Sequence, residues 1–179
     1  YRKEMSADAI CSMLKNAISS ANMEIYDLSL KNATLNGMGT TVVAVFVKND
    51  TAVICHIGDS RAYLINEEVT QLTTDHSVVQ TLIESGKLTE QEAKVHPEKN
   101  VITRALGVEE NVICDSCTVN VDTGSHLLIC TDGLSNYVEP SDILDAFKNC
   151  DIKDVASSLV NKANENGGGD NITAVTVTV

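Results

Sequence analysis

The sequence predicts a layered α+β sandwich. Stretches with helical spacing precede and follow runs of short, β-branched strands instead of alternating with them, which argues against a doubly wound parallel sheet. Tight turn sequences such as Lys48-Asn49-Asp50 and Asn66-Glu67-Glu68 join successive strands, the mark of antiparallel pairing. A chain of 179 residues suits one domain, 1–179, with no internal repeat, linker or low-complexity segment.

The elements follow in order. From Ser6 to about Lys31 there is no Pro or Gly, and Ile10, Met13, Leu14, Ala17, Ile18, Ala21 and Ile25 recur at helical spacing. This reads as a long amphipathic helix with Ser6 as N-cap. Asn36 to Thr40, "NGMGT", breaks the pattern. Strands are expected at 40–47, 52–57, 62–65 and 69–72 as an antiparallel meander. The unbroken apolar run "TVVAVFV" predicts a strand covered on both faces. From 77 to about 106 the pattern turns helical and polar, with Gly86 and Pro97 inside it, and reads as an excursion of short helices. Strands return at 112–121 and 126–130. Two helices follow, with Ser141 the expected cap of the first and Asp151 of the second, which runs to about Asn164. "NGGGDN" ends it, and the β-branched "ITAVTVTV" closes the chain as a strand.

The formal charge of −12 disfavours binding to nucleic acid or to anionic membrane through bulk charge. Bound metal ions would invert that field locally. No apolar run approaches the roughly 20 residues that span a bilayer, and no apolar stretch follows Tyr1-Arg2-Lys3 as in a signal peptide. The chain begins at Tyr1, so its start is expected to be a fragment or cloning boundary. Six scattered cysteines fit a reduced, cytoplasmic protein. Cys114 and Cys117 form half of a zinc motif whose other half is missing.

Three carboxylates stand at strand ends. Asp132 follows the strand at 126–130, Asp170 lies in "GGGDN" before the last strand, and Asp75 lies in "TTDHS" after the strand at 69–72. Hard divalent cations take oxygen ligands held on a rigid scaffold, and strand ends provide one. Neighbouring glycines let backbone come close. Each aspartate alone also fits ordinary turn chemistry.

Gly58-Asp59-Ser60-Arg61 reads as a tight corner. A nucleophilic Ser60 needs a late His and Asp, and the late stretch supplies no His. An Asp59–Arg61 ion pair holding the corner is the preferred reading. Asp122-Thr123-Gly124-Ser125 matches an aspartic protease string, but its context reads as a hairpin turn. His56, His76, His96 and His126 show no ligand spacing, and His76 is expected in a plain hydrogen-bonding role.

Six blocks then point in one direction. "GMGTT", "HIGDSRAYLI", "LTTDHSVVQTLIESGKLT", "ITRALG", "LLICTDGLSN" and "GGGDNITAVTV" occur in this order. Over nearly the whole chain the sequence resembles the metal-dependent serine/threonine phosphatases of protein phosphatase 2C type (the PPM family), and its short bacterial members above all. The resemblance implies two antiparallel sheets in a sandwich flanked by helices, as α-β-β-α layers. It implies hydrolysis of phosphoserine and phosphothreonine with Mn²⁺ or Mg²⁺, two ions and a third, weaker one. It implies that Asp132 and Asp170 are ligands of the central pair and Asp75 of the third ion. It also implies a mobile flap at 77–106, marked by Ser77, Gly86 and Arg104, and phosphoprotein partners of a serine/threonine kinase in bacterial signalling.

One departure is expected to matter. The family's opening strands carry an Asp-Gly-x-Gly-Gly-His block, which supplies a bridging carboxylate and a candidate general-acid His. No such string occurs here, and Asn36 stands where "NGMGT" comes nearest to it. The domain is therefore expected to be incomplete at its N-terminus, with exposed sheet edges and little or no activity of its own. The alternative is a non-catalytic binding module with a phosphatase fold.

Overall fold

The computed structural model describes residues 4–179. Its longest element is α1, Ala7–Lys31, and Ser6 caps it by accepting the Ala9 N–H at 3.3 Å. One 3-10 turn later the strands begin: β1 Val42–Lys48, β2 Thr51–Ile57, β3 Arg61–Ile65 and β4 Val69–Gln71. Two short helices follow, α2 Val78–Glu84 and α3 Glu90–Lys94, then β5 Asp115–Asn120 and β6 His126–Cys130. The chain ends with α4 Asp132–Ser135, α5 Pro140–Asn149, α6 Ile152–Glu165 and β7 Ala174–Thr178.

Two antiparallel sheets form, ordered β1-β2-β5 and β4-β3-β6-β7. The expected meander is therefore divided. β1 and β2 form a hairpin in one sheet, β3 and β4 a hairpin in the other, and the chain changes sheet at 58–60. Gly58 makes this corner possible with φ of +103°, and a Cβ there would meet the Thr41 side chain. The turn at Asp122–Ser125 is also a change of sheet and not a hairpin, since it joins β5 to β6. Its Ser125 N–H donates to the Asp122 carbonyl at 2.9 Å.

Burial gives four layers. Ala52, Ile54, Ala62, Val121 and Leu127 fill the space between the sheets. Ile18 of α1 packs on Cys55, Ile57 and Leu106 outside the first sheet. Ile143, Val155 and Leu159 of α5 and α6 cover Tyr63, Leu128 and Cys130 outside the second. The expected α-β-β-α order is thus observed. Burial pushes the Cys55 and Cys130 thiols up to about 12, so both stay protonated and pack as small apolar groups.

Two local expectations change. β1 is half-buried along its whole length, because it is an edge strand and its alternate residues lack the cover β2 receives. Ser141 lies inside α5 rather than capping it. Pro140 takes the first helical position, where its missing N–H costs nothing, and Glu139 becomes the cap.

Candidate metal centre

The last residue of β6, Cys130, is followed by Thr131, which ties two segments together. Its N–H donates to the Thr173 carbonyl at 3.2 Å, and its hydroxyl donates to the Asn171 carbonyl at 3.2 Å. The same hydroxyl oxygen accepts the Thr173 N–H at 3.0 Å. Gly133 allows the approach, since a Cβ there would run into the Asn171 carbonyl oxygen and touch Asp170. Asp132 and Asp170 are therefore carried side by side on backbone that is cross-linked at three points. Asp132 begins a single helical turn, α4, which periodicity does not reveal in four residues.

The electrostatics record the crowding. Burial first, and then the Asp170 charge, push the Asp132 carboxyl above its usual range. Burial and then Asp132 push Asp59 up to about 6, with Asp75 adding to the effect. Four carboxylates thus share one end of the sandwich. Such a set suits a hard divalent cation, whose charge would remove the mutual repulsion.

Arg61 is the cation placed there, and its partner corrects one expectation. It does not close the corner with Asp59. Its Nε donates to Asp75 Oδ1 at 2.9 Å and to Oδ2 at 3.1 Å, and its Nη2 donates to Oδ2 at 2.8 Å. β4 runs back antiparallel to β3, so the residues just past β4 arrive beside Arg61 at the start of β3. The Ala62 N–H to Thr73 Oγ1 bond, 3.1 Å, fixes that return. Ser60 is buried and shares a hydrogen bond of 2.9 Å with the Thr41 hydroxyl, with no His base beside it.

A second constellation was not legible in the sequence. His56 of β2 pairs in register with Asp115 of β5, and its ring stacks on His76 at 4.7 Å. His76 Nε2 lies 3.1 Å from Asp115 Oδ2, and Arg104 Nη1 lies 3.1 Å from Asp115 Oδ1 and 3.1 Å from His76 Nε2. The ligand atoms of His56, His76 and Asp115 lie within 4.8 Å of one another, closer than any other such group among the described residues, the strand-end aspartates included. Hydrogen bonding nevertheless argues against a cation at this point. His76 Nδ1 accepts the Gly58 N–H at 3.1 Å, which leaves the ring proton on Nε2, and a guanidinium already stands beside it. A cleft of about 460 Å³ opens next to it, lined by Lys15, His56, Leu72, Thr74, Asp115 and Cys117. That cleft includes neither Asp132 nor Asp170.

The marker residues of the 77–106 segment have local tasks. Ser77 caps α2 by accepting the Gln80 N–H at 3.2 Å. Gly86 takes φ of +71° in open space just past α2. Arg104 is held at the base of the segment by Asp115, as above. Cys114 and Cys117 face different packing layers, Cys114 toward α1 and Cys117 between the sheets, so they do not form a half-site.

The family profile described as Protein phosphatase 2C matches residues 1–167. The chain belongs to the protein phosphatase 2C family. It is 40% identical to the serine/threonine phosphatase stp of Listeria monocytogenes over 97% of this chain and 69% of that protein. It is 41% identical to the protein phosphatase PhpP of Streptococcus pneumoniae over 88% of this chain and 65% of that protein. Among solved structures, the serine/threonine phosphatase Stp1 of Staphylococcus aureus superposes with a TM-score of 0.90 at 35% identity, over 94% of this chain and 67% of that one. The catalytic domain of the phosphatase PstP, solved in complex with two manganese ions, superposes with a TM-score of 0.84 at 34% identity, over 92% of this chain and 69% of that one. The protein is thus a serine/threonine protein phosphatase by family, and family members of this type act on phosphoproteins and depend on metal. Among the described residues no helix is long and apolar enough to cross a membrane.

Proposed function

We propose that this phosphatase removes phosphate from phosphoserine and phosphothreonine of proteins at a centre of two Mn²⁺ or Mg²⁺ ions held in part by Asp132 and Asp170. The observation that carries the reading is the pair itself: Thr131 cross-links the two backbones, and the two carboxylates repel each other. Bound there, such ions would lower the pKa of a water and offer positive charge to the phosphoryl oxygens. The chain's own groups hold the ligands still. Arg61 keeps Asp75 aimed at the same end of the sandwich, where one edge of its carboxylate can serve a third, weaker ion. The segment 77–106 flanks this end as the substrate flap. Six free thiols suit a reducing cytoplasm, and the substrates are those of a serine/threonine kinase. No Asp-Gly-x-Gly-Gly-His string within these 179 residues supplies a bridging carboxylate or an acid His, so low turnover is expected from this chain by itself.

Calorimetric titration with Mn²⁺, on the chain and on Asp132→Asn, tests the reading. Binding that is lost in the variant supports it. Binding that is equal in both removes Asp132 from the centre. A parallel assay on a phosphothreonine peptide separates enzyme from binding module: a peptide that is bound with Mn²⁺ present, but never hydrolysed even by a polypeptide carrying the missing block, favours the module.

A further inference from the structure

We infer that His76 is the positioning residue that locks both ends of the 77–106 segment to the sheet-changing corner at Gly58, beside Asp59 and Asp75. The inference rests on the phosphatase reading only for what the lock is for, and its geometry stands independently.

The proton placement follows from the partners. Nδ1 faces the Gly58 N–H at 3.1 Å, a donor that cannot be turned away because the Gly58 backbone is fixed at the sheet-changing corner. Nδ1 is therefore the acceptor. Nε2 donates to Asp115 Oδ2, leaving Oδ1 to accept from Arg104. Arg104 Nη1, which also approaches Nε2, finds its acceptor in Asp115. The His56 ring, buried and without a partner for its Nδ1, stacks on the other side and restricts the His76 plane.

The backbone of the same residue completes the lock. The His76 N–H donates to the Gly58 carbonyl at 3.0 Å, and the His76 carbonyl accepts the Thr103 N–H at 2.8 Å. Ser77 bridges to Ile102, and the Val78 N–H donates to the Val101 carbonyl at 2.9 Å. The segment thus leaves from His76 and returns to it. One side chain contacts the corner, the start of β5 and, through Asp115, the arginine at the returning end. Asp75 is its immediate neighbour, so a shift of the flap base is transmitted directly to a carboxylate at the proposed metal centre. This links flap position to metal affinity without a group that touches substrate.

The test uses the whole 179-residue chain, first in EDTA. Nitrogen-15 NMR of the imidazoles is expected to show His76 with an unprotonated Nδ1 and a protonated Nε2, and a protonated Nδ1 would overturn the inference. Hydrogen exchange on His76→Phe, which keeps a stacking ring but loses both hydrogen bonds, is expected to lower protection of the Val78 and Thr103 amides at least ~10-fold while Leu128 in β6 is unchanged. Equal protection at 78 and 103 would overturn it, as would a uniform loss across the chain. Should His76→Phe fail to fold, Asp115→Asn at its half-exposed site gives the second reading: Thr103 protection falls while the NMR signature of Nδ1 persists. Mn²⁺ affinity is then expected to weaken several-fold in His76→Phe. Failure of the phosphatase reading is recognised separately, because the NMR and exchange results need no metal, whereas the Asp132→Asn titration does.

Discussion

Arg61 and Asp75 meet side-on through three hydrogen bonds of 2.9, 3.1 and 2.8 Å, and both side chains are largely withdrawn from water. The pair joins the start of β3 to the turn after β4 at the acidic end of the sandwich. Replacing Arg61 with Met keeps the apolar stem and strands the carboxylate. We expect Arg61→Met to lose roughly 2–3 kcal/mol of stability in urea unfolding without metal, as for a charged hydrogen-bond partner removed from a part-buried site. Lys at this position is expected to recover only part of the loss, because it cannot make the planar two-point contact.

Asp59 sets a pH dependence with a defined sign. Its carboxyl is raised to about 6 in the folded chain, by burial first and Asp132 second, against about 4 when unfolded. The folded state therefore binds the proton more tightly, and metal-free stability falls as pH rises from about 4 to about 6. Asp59→Asn removes this fall. In EDTA at pH 7.5 the variant is expected to be more stable by about 1–2 kcal/mol after allowance for solvent screening, with the gain gone near pH 4. Equal unfolding midpoints at both pH values would count against the placement of Asp59 among the carboxylates.

Gly133 tests how the segments carrying Asp132 and Asp170 are held together. An added methyl would collide with the Asn171 carbonyl oxygen. Gly133→Ala should therefore cost about 1–3 kcal/mol, despite the helix preference of Ala. It should also weaken Mn²⁺ binding in calorimetry by displacing Asp170. A variant that is as stable as the parent, with unchanged affinity, would show that the loop relaxes without moving the carboxylate.

Asn22 is a polar residue on the buried face of α1, and a pattern of apolar residues passes over it. Its Oδ1 accepts the Gly107 N–H at 2.7 Å, and its Nδ2 donates to the Glu109 and Glu110 carbonyls at 3.0 Å each. It thus pins the loop after Arg104 to the helix. Asn22→Leu keeps the volume and leaves a buried donor unpaired. We expect a loss of about 3 kcal/mol in urea unfolding, and a loss below ~1 kcal/mol would mean that water replaces the lost contacts.

Local order was written in the sequence, and the reason is short range. The cap at Ser6, the apolar stripe of α1, the β-branched strands and the glycines of "GGGDN" act through neighbours a few residues away, so α1, the strands and the aspartates at their ends could be placed from spacing alone. The ordered blocks carried the family. What the tertiary structure decided depended on partners far apart in the chain. Whether a hairpin continues a sheet or leaves it depends on how two sheets stack, so the break at Gly58 was invisible to strand periodicity. Arg61 met Asp75 rather than the nearer Asp59 because β4 returns alongside β3. His56 met Asp115 through strand register, and His76 and Arg104 joined them from opposite ends of the 77–106 segment. Sequence fixes which groups the chain carries and the local shape around each, but the long-range pairing of strands fixes which of them share a site.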